Sequence, residues 1–315
     1  MQFLHNANFN FVKIRRQAML VSAIIIVAGM VSILLHRGLR SSIDFSGGTL
    51  VEIALQQPVP VQDVRNIVSG AGLGDAEITR FGQESSYLIK VKSAEAEGGN
   101  ATASPADSMS YERAVAKKLE AALSAGIAGQ KVEVRRVETV GPKVGSELRK
   151  AAFGAVIYSL LGILVYISWR FQFRFAVAAI IATTHDALVM LAFFSFAGLE
   201  ISISGIAAIL TIVGYSLADT VVVFDRIREN LTLRRREDFA TLINTSINET
   251  LSRTIITSGT VMLTLIALLV FGGSVIREFA LAMTVGTIAG TYSSIYIAAP
   301  ILLEWQAWHP NKPKK

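Results

Sequence analysis

The sequence predicts an α-helical polytopic membrane protein with six transmembrane helices and one α+β domain outside the membrane. Hydrophobic residues make up 52% of the 315-residue chain, charged residues only 17%, and the mean hydropathy is +0.49. This composition is typical of membrane proteins and not of soluble globular domains. Six apolar runs approach the ~20 residues that an α-helix needs to cross ~30 Å of hydrocarbon. They are 18–35, 151–169, 175–197, 201–224, 254–271 and 279–303.

The first run, 18–35, follows basic residues in the N-terminal tail, 1–17, and so resembles the apolar part of a signal peptide. It is long enough to cross a bilayer, and no small-residue cleavage site is obvious after it. We therefore interpret this run as an uncleaved membrane anchor.

The distribution of Lys and Arg predicts the orientation of the spans. Basic residues gather in the short flanks on one side, against Arg277 alone in the short loops opposite, so both termini (1–17 and 304–315) and the connection 225–253 are predicted to be cytoplasmic. The long loop, 36–150, is then periplasmic. Because the positive charges lie beside apolar runs, the net charge of +6 indicates contact with a lipid bilayer and no nucleic-acid partner. The basic flanking residues are Lys13, Arg15, Arg16, Arg170, Arg174, Arg226, Arg228, Arg234, Arg235, Arg236, Arg253, Lys312, Lys314 and Lys315.

The periplasmic loop has the pattern of a ferredoxin-like domain with the order β-α-β-β-α-β. β-branched residues alternate in its first strand, and apolar residues recur at helical spacing in its two helices. The segment 93–110, rich in Ala, Gly, Ser and Glu, is predicted to be a mobile insertion. Helices on one face of an antiparallel sheet would leave the other face free for a partner. The predicted elements are strands 49–55, 76–81, 87–91 and 131–140, helices 61–69 and 111–124, and the turn 82–86.

Within the connection 225–253, apolar residues such as Phe239, Leu242 and Ile247 recur at helical spacing beside polar neighbours. A helix lying along the membrane surface would show this pattern, and so would a helix packed on the cytoplasmic ends of the spans. The pattern is compatible with both arrangements.

Small residues predict close packing between spans. Ala282, Gly286 and Gly290 fall four positions apart in the last run, which would let a neighbouring helix approach closely. Gly214 gives the fourth run a similar character. These residues indicate a helix bundle and identify no ligand.

Asp219 lies in the fourth run, where hydrocarbon should surround it. A charge at bilayer depth costs at least ~2.5 kcal/mol and usually marks a functional site. Arg253 opens the next run from the same membrane side, so the two residues should have similar depths. Arg stays protonated, whereas a desolvated Asp can bind a proton. We predict that Asp219 and Arg253 pair and that protonation of Asp219 releases the guanidinium; alternatively, the buried charges merely lock subunits together.

His185 and Asp186 form a second candidate site near the middle of the run 175–197. Ionisable groups at this depth commonly belong to proton relays. A hydrogen-bonded polar plug that fixes the helix register is the alternative. Asp225 and Glu229 lie at the headgroup boundary among arginines, and we interpret them as structural.

Other chemistry finds no support in the sequence. The absence of Cys excludes thiolate metal sites and cysteine nucleophiles, and four scattered His residues form no ligand cluster. No GxSxG or Walker-type motif is present, and the Gly pair of SIDFSGGT is interpreted as a hinge between the first span and the first strand. We therefore predict no enzyme, no catalytic residue, no metal and no cofactor other than protons as the coupling ion.

Six short segments occur in order along the chain. They are SIDFSGGT (42–49), VGPKVGSEL (140–148), THD (184–186), GYSLADTVVVFDRIREN (214–230), RTIITSG (253–259) and FGG (271–273). As a set they resemble the SecD/SecF family of bacterial protein translocase subunits, in the resistance-nodulation-division superfamily. The tail beyond 305 and the segment 95–107 contribute nothing to this resemblance.

The resemblance implies a subunit of the bacterial inner membrane that works with SecD and the SecYEG channel. Such a subunit would use the proton-motive force to help unfolded exported polypeptides leave the channel on the periplasmic side. In the family, the aspartate and arginine at the positions of Asp219 and Arg253 are implicated in proton coupling. The alternatives are half of a proton-coupled small-molecule antiporter of the same superfamily and a scaffold subunit without coupling.

Overall fold

The structure is a computed structural model that describes residues 8–74, 76–80, 85–91, 105–127 and 129–308. The chain divides into two compact units, one formed by Met1–Arg40 and Ala155–Lys315 and the other by Ser41–Gly154. Parts of five predicted segments lie outside the described residues: the two tails (1–7 and 309–315), the end of the strand 76–81 (residue 81), the turn (82–84) and the insertion (93–104).

The described elements follow each other in an order close to the prediction. The strands are β1 (Gly48–Leu55), β2 (Glu77–Arg80), β3 (Ser86–Val91) and β4 (Val132–Val140). The helices are α1 (Phe11–Leu35), α2 (Ile43–Ser46), α3 (Val61–Gly70), α4 (Pro105–Gly126), α5 (Pro142–Arg170), α6 (Phe173–Ala197), α7 (Ile203–Leu233), α8 (Phe239–Phe271), α9 (Gly273–Ser293) and α10 (Ala299–Trp308), with a π-helical turn, Ser294–Ala298, between the last two.

The unit Ser41–Gly154 contains a four-stranded antiparallel sheet with the strand order β2-β3-β1-β4. This order, with α3 after β1 and α4 after β3, is the split β-α-β arrangement, and it confirms the predicted fold class. Alternate residues of β1, such as Ile53, point into a hydrophobic core. Residues of the two helices, such as Val68 of α3 and Leu119 of α4, complete this core. The helix α4 begins at Pro105 and so includes the end of the segment predicted to be a mobile insertion.

Two of the sequence motifs meet at the start of this unit. Gly47 and Gly48 have φ values of 73° and 136°, which glycine adopts without steric cost, and they turn the chain from α2 into β1. Gly145 of α5 lies against the same turn, because a Cβ there would be 3.1 Å from the backbone carbonyl carbon of Phe45. The segments 42–49 and 140–148 are therefore parts of one packed junction.

In the part of the chain that the structure describes, six helices are long and apolar enough to cross a membrane. Of these, α6, α7 and the last span are the most buried, whereas α1, α5 and α8 present most of their surface outward. The described spans are Phe11–Leu35, Lys143–Arg170, Phe173–Ala197, Ile203–Leu233, Phe239–Phe271 and Ile276–Trp308, the last of which includes the π-helical turn.

The predicted connection 225–253 is not a separate helix on the membrane surface. It consists of the end of α7, a short link, and the first half of α8, which runs without a break for 33 residues. Leu242 and Ile247 are buried in the bundle core, so this amphipathic segment packs on the neighbouring spans. The helix continues because no Gly or Pro interrupts its apolar pattern before Gly259.

Close helix packing involves three of the four small residues singled out above. A Cβ on Gly286 would lie 2.4 Å from Cγ1 of Ile212, and one on Gly290 would lie 2.9 Å from Cβ of Ser216, so the last span touches α7 at both points. Ala282 is fully buried. Among the described residues, no heavy atom lies within 4 Å of a Cβ built on Gly214, so this part of the chain shows no close approach of the kind predicted for Gly214.

Candidate functional site

Two buried carboxylates lie where α6, α7 and the last span pack together. Asp186 of α6 is fully buried, and Asp219 of α7 is 9% exposed. An ionised carboxylate removed from water needs hydrogen-bond donors or a cation. The side chains around the two groups therefore decide what each of them can do.

Asp219 is held by hydroxyl groups from two other elements. Oγ1 of Thr254, on α8, donates to Oδ1 at 2.8 Å, and Oγ of Ser294, at the start of the π-helical turn, donates to Oδ2 at 2.9 Å. Both donors are buried. Each carboxylate oxygen thus has a donor that carries no charge.

The structure does not contain the predicted ion pair between Asp219 and Arg253. Within the described residues, no Lys or Arg nitrogen lies within 4.0 Å of the Asp219 carboxylate, and Arg253 is exposed. The reason is helical geometry: consecutive side chains leave a helix about 100° apart. Thr254 therefore reaches Asp219, and the side chain of Arg253, one residue earlier, leaves α8 about 100° to one side of it.

Arg253 instead lines a polar cavity of about 690 Å³ at the predicted cytoplasmic end of the bundle. On the same side, ion pairs join α7 to α8: Arg226 contacts Glu249 at 2.7 Å, and Arg234 contacts the other oxygen of Glu249 at 3.0 Å. Glu229 pairs with Arg226 at 2.6 Å, consistent with a structural role. The charged cavity thus lies beside the hydroxyl cage of Asp219, which Thr254 and Ser294 form, because Arg253 lines the cavity and its sequence neighbour Thr254 donates to Asp219.

Asp186 has three partners. Nδ1 of His185 lies 2.9 Å from Oδ1, while Oδ2 accepts hydrogen bonds from Ser293, at 2.8 Å, and from Ser216. An ionised Asp186 requires the hydrogen of the imidazole to be on Nδ1. The other ring nitrogen of His185, Nε2, is buried and has no hydrogen-bond partner among the described residues. The predicted residues His185 and Asp186 therefore form one connected group.

The two carboxylate sites share their supporting elements. Ser216, which donates to Asp186, lies one turn before Asp219 on α7, and the serines that reach the two carboxylates, Ser293 and Ser294, are adjacent. A movement of the last span relative to α7 would alter the hydrogen bonds of both carboxylates together.

Four hydroxyl-bearing residues of the site were missed by sequence reasoning. Hydroxyl side chains are common in membrane helices, where they usually bond to a carbonyl of their own helix, so their identity carries little signal. Their positions in the sequence carry some signal, because Ser216 precedes the predicted site residue Asp219 by one turn and Thr254 directly follows the predicted site residue Arg253. These residues are Ser216, Thr254, Ser293 and Ser294.

The chemistry available at this site is proton binding. The described residues contain no group of three or more His, Cys, Asp or Glu side chains that could hold a metal ion. A carboxylate that accepts from two hydroxyls in an apolar bundle can take up a proton and then donate it to one of the same hydroxyl oxygens.

Comparison with known proteins identifies the family. Residues 120–308 match the family described as protein export membrane protein SecD/SecF, C-terminal, and residues 32–59 match the SecD/SecF GG motif. The second match contains Gly47 and Gly48 of the junction between α2 and β1.

Relatives match over nearly the whole chain. The protein translocase subunit SecF of Desulfurispirillum indicum is 43% identical over 302 residues, which cover 94% of this chain and 91% of that protein. The SecF of Pseudomonas aeruginosa is 40% identical over 294 residues, covering 93% of this chain and 90% of that one.

A solved structure gives the same assignment. The crystal structure of SecDF, a translocon-associated membrane protein from Thermus thermophilus, aligns with a TM-score of 0.82 at 38% identity and covers 98% of this chain. A SecDF structure in a super-membrane-facing form aligns with a TM-score of 0.66. This chain spans 40% of the length of each of these solved chains. Given these matches, the chain belongs to the SecD/SecF family of protein export membrane proteins.

Proposed function

We propose that this chain acts with a SecD partner as the proton-driven part of a protein translocase. It would use the proton-motive force across the bacterial inner membrane to assist the late translocation and release of exported polypeptides on the periplasmic side. The names of its relatives, and the solved SecDF chains that include an equivalent segment, support the SecD partnership. The SecYEG channel and the unfolded polypeptides are further proposed partners, and both termini are proposed to be cytoplasmic.

One observation carries this proposal: Asp219 is buried between three elements and is held only by hydroxyl groups among the described side chains. A cation beside the carboxylate would strongly favour the charged form. Hydroxyls can donate to the ionised form and accept from the protonated form, so both states can exist in the same cage. Such a site suits repeated uptake and release of a proton.

The energy available from the proton gradient is sufficient for this role. Each proton that crosses the membrane supplies about 2.3 kcal/mol per 100 mV. A two-state element whose states differ by a few kcal/mol can be shifted by an input of this size. The polar cavity beside Arg253 and Thr250 is the proposed route by which water reaches the cytoplasmic side of the cage.

The test is Asp219→Asn, measured in inverted membrane vesicles that contain the SecD partner. We expect the part of export that depends on the proton gradient to be lost, and the part driven by ATP alone to be retained. Glu278→Gln is the control, because it neutralises an exposed acidic residue of the last span that does not line this cavity.

Gradient-dependent export at the wild-type level in Asp219→Asn would refute the proposal. Copurification with SecD separates coupling from a scaffold role. The hydrogen bonds that Asp219 accepts from two neighbouring elements also favour the scaffold role. Lost export with an intact complex supports coupling. A lost complex supports a scaffold in which the carboxylate joins helices.

A further inference from the structure

The last span contains a π-helical turn, Ser294–Ala298, in an otherwise α-helical segment. π-Helical turns are rare and occur frequently at functional sites. Pro300 gives a local cause, because its ring would collide with the carbonyl of Tyr296 in a regular α-helix. The first residue of the turn is Ser294, which donates to Asp219. An irregular element and a buried carboxylate therefore meet at one hydroxyl group.

The hydroxyl of Ser294 has two acceptors at nearly equal distances. Its Oγ lies 2.9 Å from Oδ2 of Asp219 and 3.0 Å from the carbonyl oxygen of Thr291, one turn earlier in the same helix. A hydroxyl carries one hydrogen and can donate it to one of these acceptors at a time. The exchange between them requires rotation about the Cβ–Oγ bond and no displacement of the oxygen.

The charge of Asp219 decides which acceptor is better. A hydrogen bond to an ionised acceptor is about twice as strong as one between neutral groups. With an ionised Asp219, the hydroxyl of Ser294 points to the carboxylate and ties the last span to α7. Once Asp219 has bound a proton from water, the Thr291 carbonyl competes on equal terms, and the O–H bond of Ser294 stays intact throughout.

Thr254, the other partner of Asp219, is different. Its Oγ1 donates to Asp219 at 2.8 Å, and no alternative acceptor for it is found among the described residues. It therefore acts as a fixed contact between α8 and α7, whereas Ser294 can change partners.

We propose that Ser294 is the positioning residue that transmits the protonation of Asp219 to the last span, with the Thr291 carbonyl as its alternative acceptor and the π-helical turn as the element that is released. This inference rests on the proposed proton coupling and adds the residue through which that coupling leaves the carboxylate. The hydrogen bond from Ser294 joins α7 to the last span when Asp219 is ionised, and it is weaker and shared with the Thr291 carbonyl when Asp219 is neutral.

Other ionisable groups near the site are few. On the elements packed against α7 they are His185 and Asp186 of α6, Arg253 of α8, and Tyr292 and Tyr296 of the last span. His185 and Asp186 bond to each other, and Tyr292 stacks on His185, so these groups belong to the Asp186 site. Ser294 is the hydroxyl of the last span that reaches Asp219.

The experiment measures the modification of Asp219 by a hydrophobic carbodiimide, which reacts with protonated carboxyl groups, as a function of pH. The full-length chain is used in membranes with its SecD partner, and labelled peptides are quantified by mass spectrometry. Ser294→Ala removes a donor to the ionised form, so the midpoint pH for labelling of Asp219 should rise by about one unit, a tenfold change in proton affinity. Ser294→Thr keeps a hydroxyl and should restore the wild-type midpoint.

Two further variants serve as controls. Thr287→Val removes a buried hydroxyl of the same helix that donates to the carbonyl of Met283, so both the midpoint and gradient-driven export should be unchanged. Ser293→Ala should shift the labelling of Asp186 and leave that of Asp219 in place, because Ser293 donates to Asp186. A shift of both carboxylates in both serine variants would indicate general loosening and would overturn the assignment.

The outcomes separate this inference from the proposed function. An unchanged Asp219 midpoint in Ser294→Ala refutes the role of Ser294 and leaves proton uptake at Asp219 standing. Full gradient-driven export in Asp219→Asn refutes the proposed function whatever Ser294 does. A shifted midpoint together with a severalfold loss of gradient-driven export in Ser294→Ala, both reversed in Ser294→Thr, supports the inference.

Discussion

Asp219 and Asp186 differ in burial and in the number of hydrogen bonds that their carboxylates accept. Asp186 is fully buried with donors on both oxygens from three residues, whereas Asp219 retains slight exposure and has one hydroxyl donor on each oxygen. Each hydrogen bond to a carboxylate favours its ionised form. The smaller number of donors at Asp219 makes each of them more important for the balance between the two protonation states.

Thr254→Val tests the fixed contact of this cage. Valine has nearly the same shape but no hydroxyl, so Oδ1 of Asp219 loses its donor. A hydrogen bond to a charged group contributes about 1.5–3 kcal/mol, so we expect gradient-driven export to fall at least about tenfold. Thr254→Ser keeps the donor and should retain most of the activity. The measurement is export into inverted vesicles with and without a proton gradient.

Thr260→Val provides the control on the same helix. Thr260 is exposed and donates to the carbonyl of Thr257, away from either carboxylate. Export should remain at the wild-type level in this variant. Equal losses in Thr254→Val and Thr260→Val would show that α8 is sensitive to any lost hydroxyl and would contradict a specific role for Thr254.

At the scale of elements, the contact between α7 and the last span depends on glycine residues, which have no side chain to hold the helices apart. Gly286→Ala places a methyl group 2.4 Å from Cγ1 of Ile212, which is fully buried. Overpacking of this kind costs about 1–3 kcal/mol. We therefore expect Gly286→Ala to lower the free energy of unfolding by that amount, measured by denaturant titration in mixed micelles.

Gly214→Ala is the matched substitution on the partner helix. A Cβ there meets nothing within 4 Å, so the change should be neutral or stabilising by up to about 1 kcal/mol, the usual gain from Gly to Ala in a helix. Ile212→Ala removes the colliding atoms, so the double variant should lose less stability than the sum of the losses in Gly286→Ala and Ile212→Ala. A Gly286→Ala variant as stable as wild type would show that the helices separate easily here.

Most elements could be predicted from the sequence because their signals are local. Apolar length locates the spans, and the change from period 2 to period 3.6 locates strands and helices in the α+β unit. The start of α8 at Phe239 was not predicted as part of a span, because its polar residues suggested a separate helix, either on the membrane surface or packed on the cytoplasmic ends of the spans. They lie on a helix whose apolar side is buried in the bundle, as Ile243 shows.

The candidate site was only partly predictable. An acidic residue in an apolar run stands out by itself, so Asp186 and Asp219 could be selected from the sequence. Their partners depend on which side of each helix faces inward, and a rotation of one residue exchanges Arg253 for Thr254. The adjacency of Ser293 and Ser294 to two different carboxylates arises from three-dimensional packing and has no sequence pattern of its own.

At the scale of the whole molecule, the two compact units have separate hydrophobic cores. Buried residues such as Val51, Ile89 and Leu119 form the core of Ser41–Gly154, and the clusters of the helical bundle contain none of them. A unit with its own core can unfold by itself. All three Trp residues of the chain, Trp169, Trp305 and Trp308, belong to the bundle, so tryptophan fluorescence reports on the bundle alone.

Leu119→Ala tests whether the two units unfold separately. Leu119 is fully buried in the core of the α+β unit, and its truncation should cost that unit about 2–5 kcal/mol. Thermal unfolding in detergent, followed by circular dichroism, should show that the sheet signal is lost at a lower temperature than in the wild type. The fluorescence transition of the bundle should stay at its wild-type temperature, because Leu119 belongs to the core of the α+β unit. Gly286→Ala should do the reverse, lowering the fluorescence transition and leaving the sheet transition in place. If Leu119→Ala shifted both transitions equally, the two units would unfold as one cooperative body, and mutational losses of export could no longer be assigned to the unit that carries the mutation.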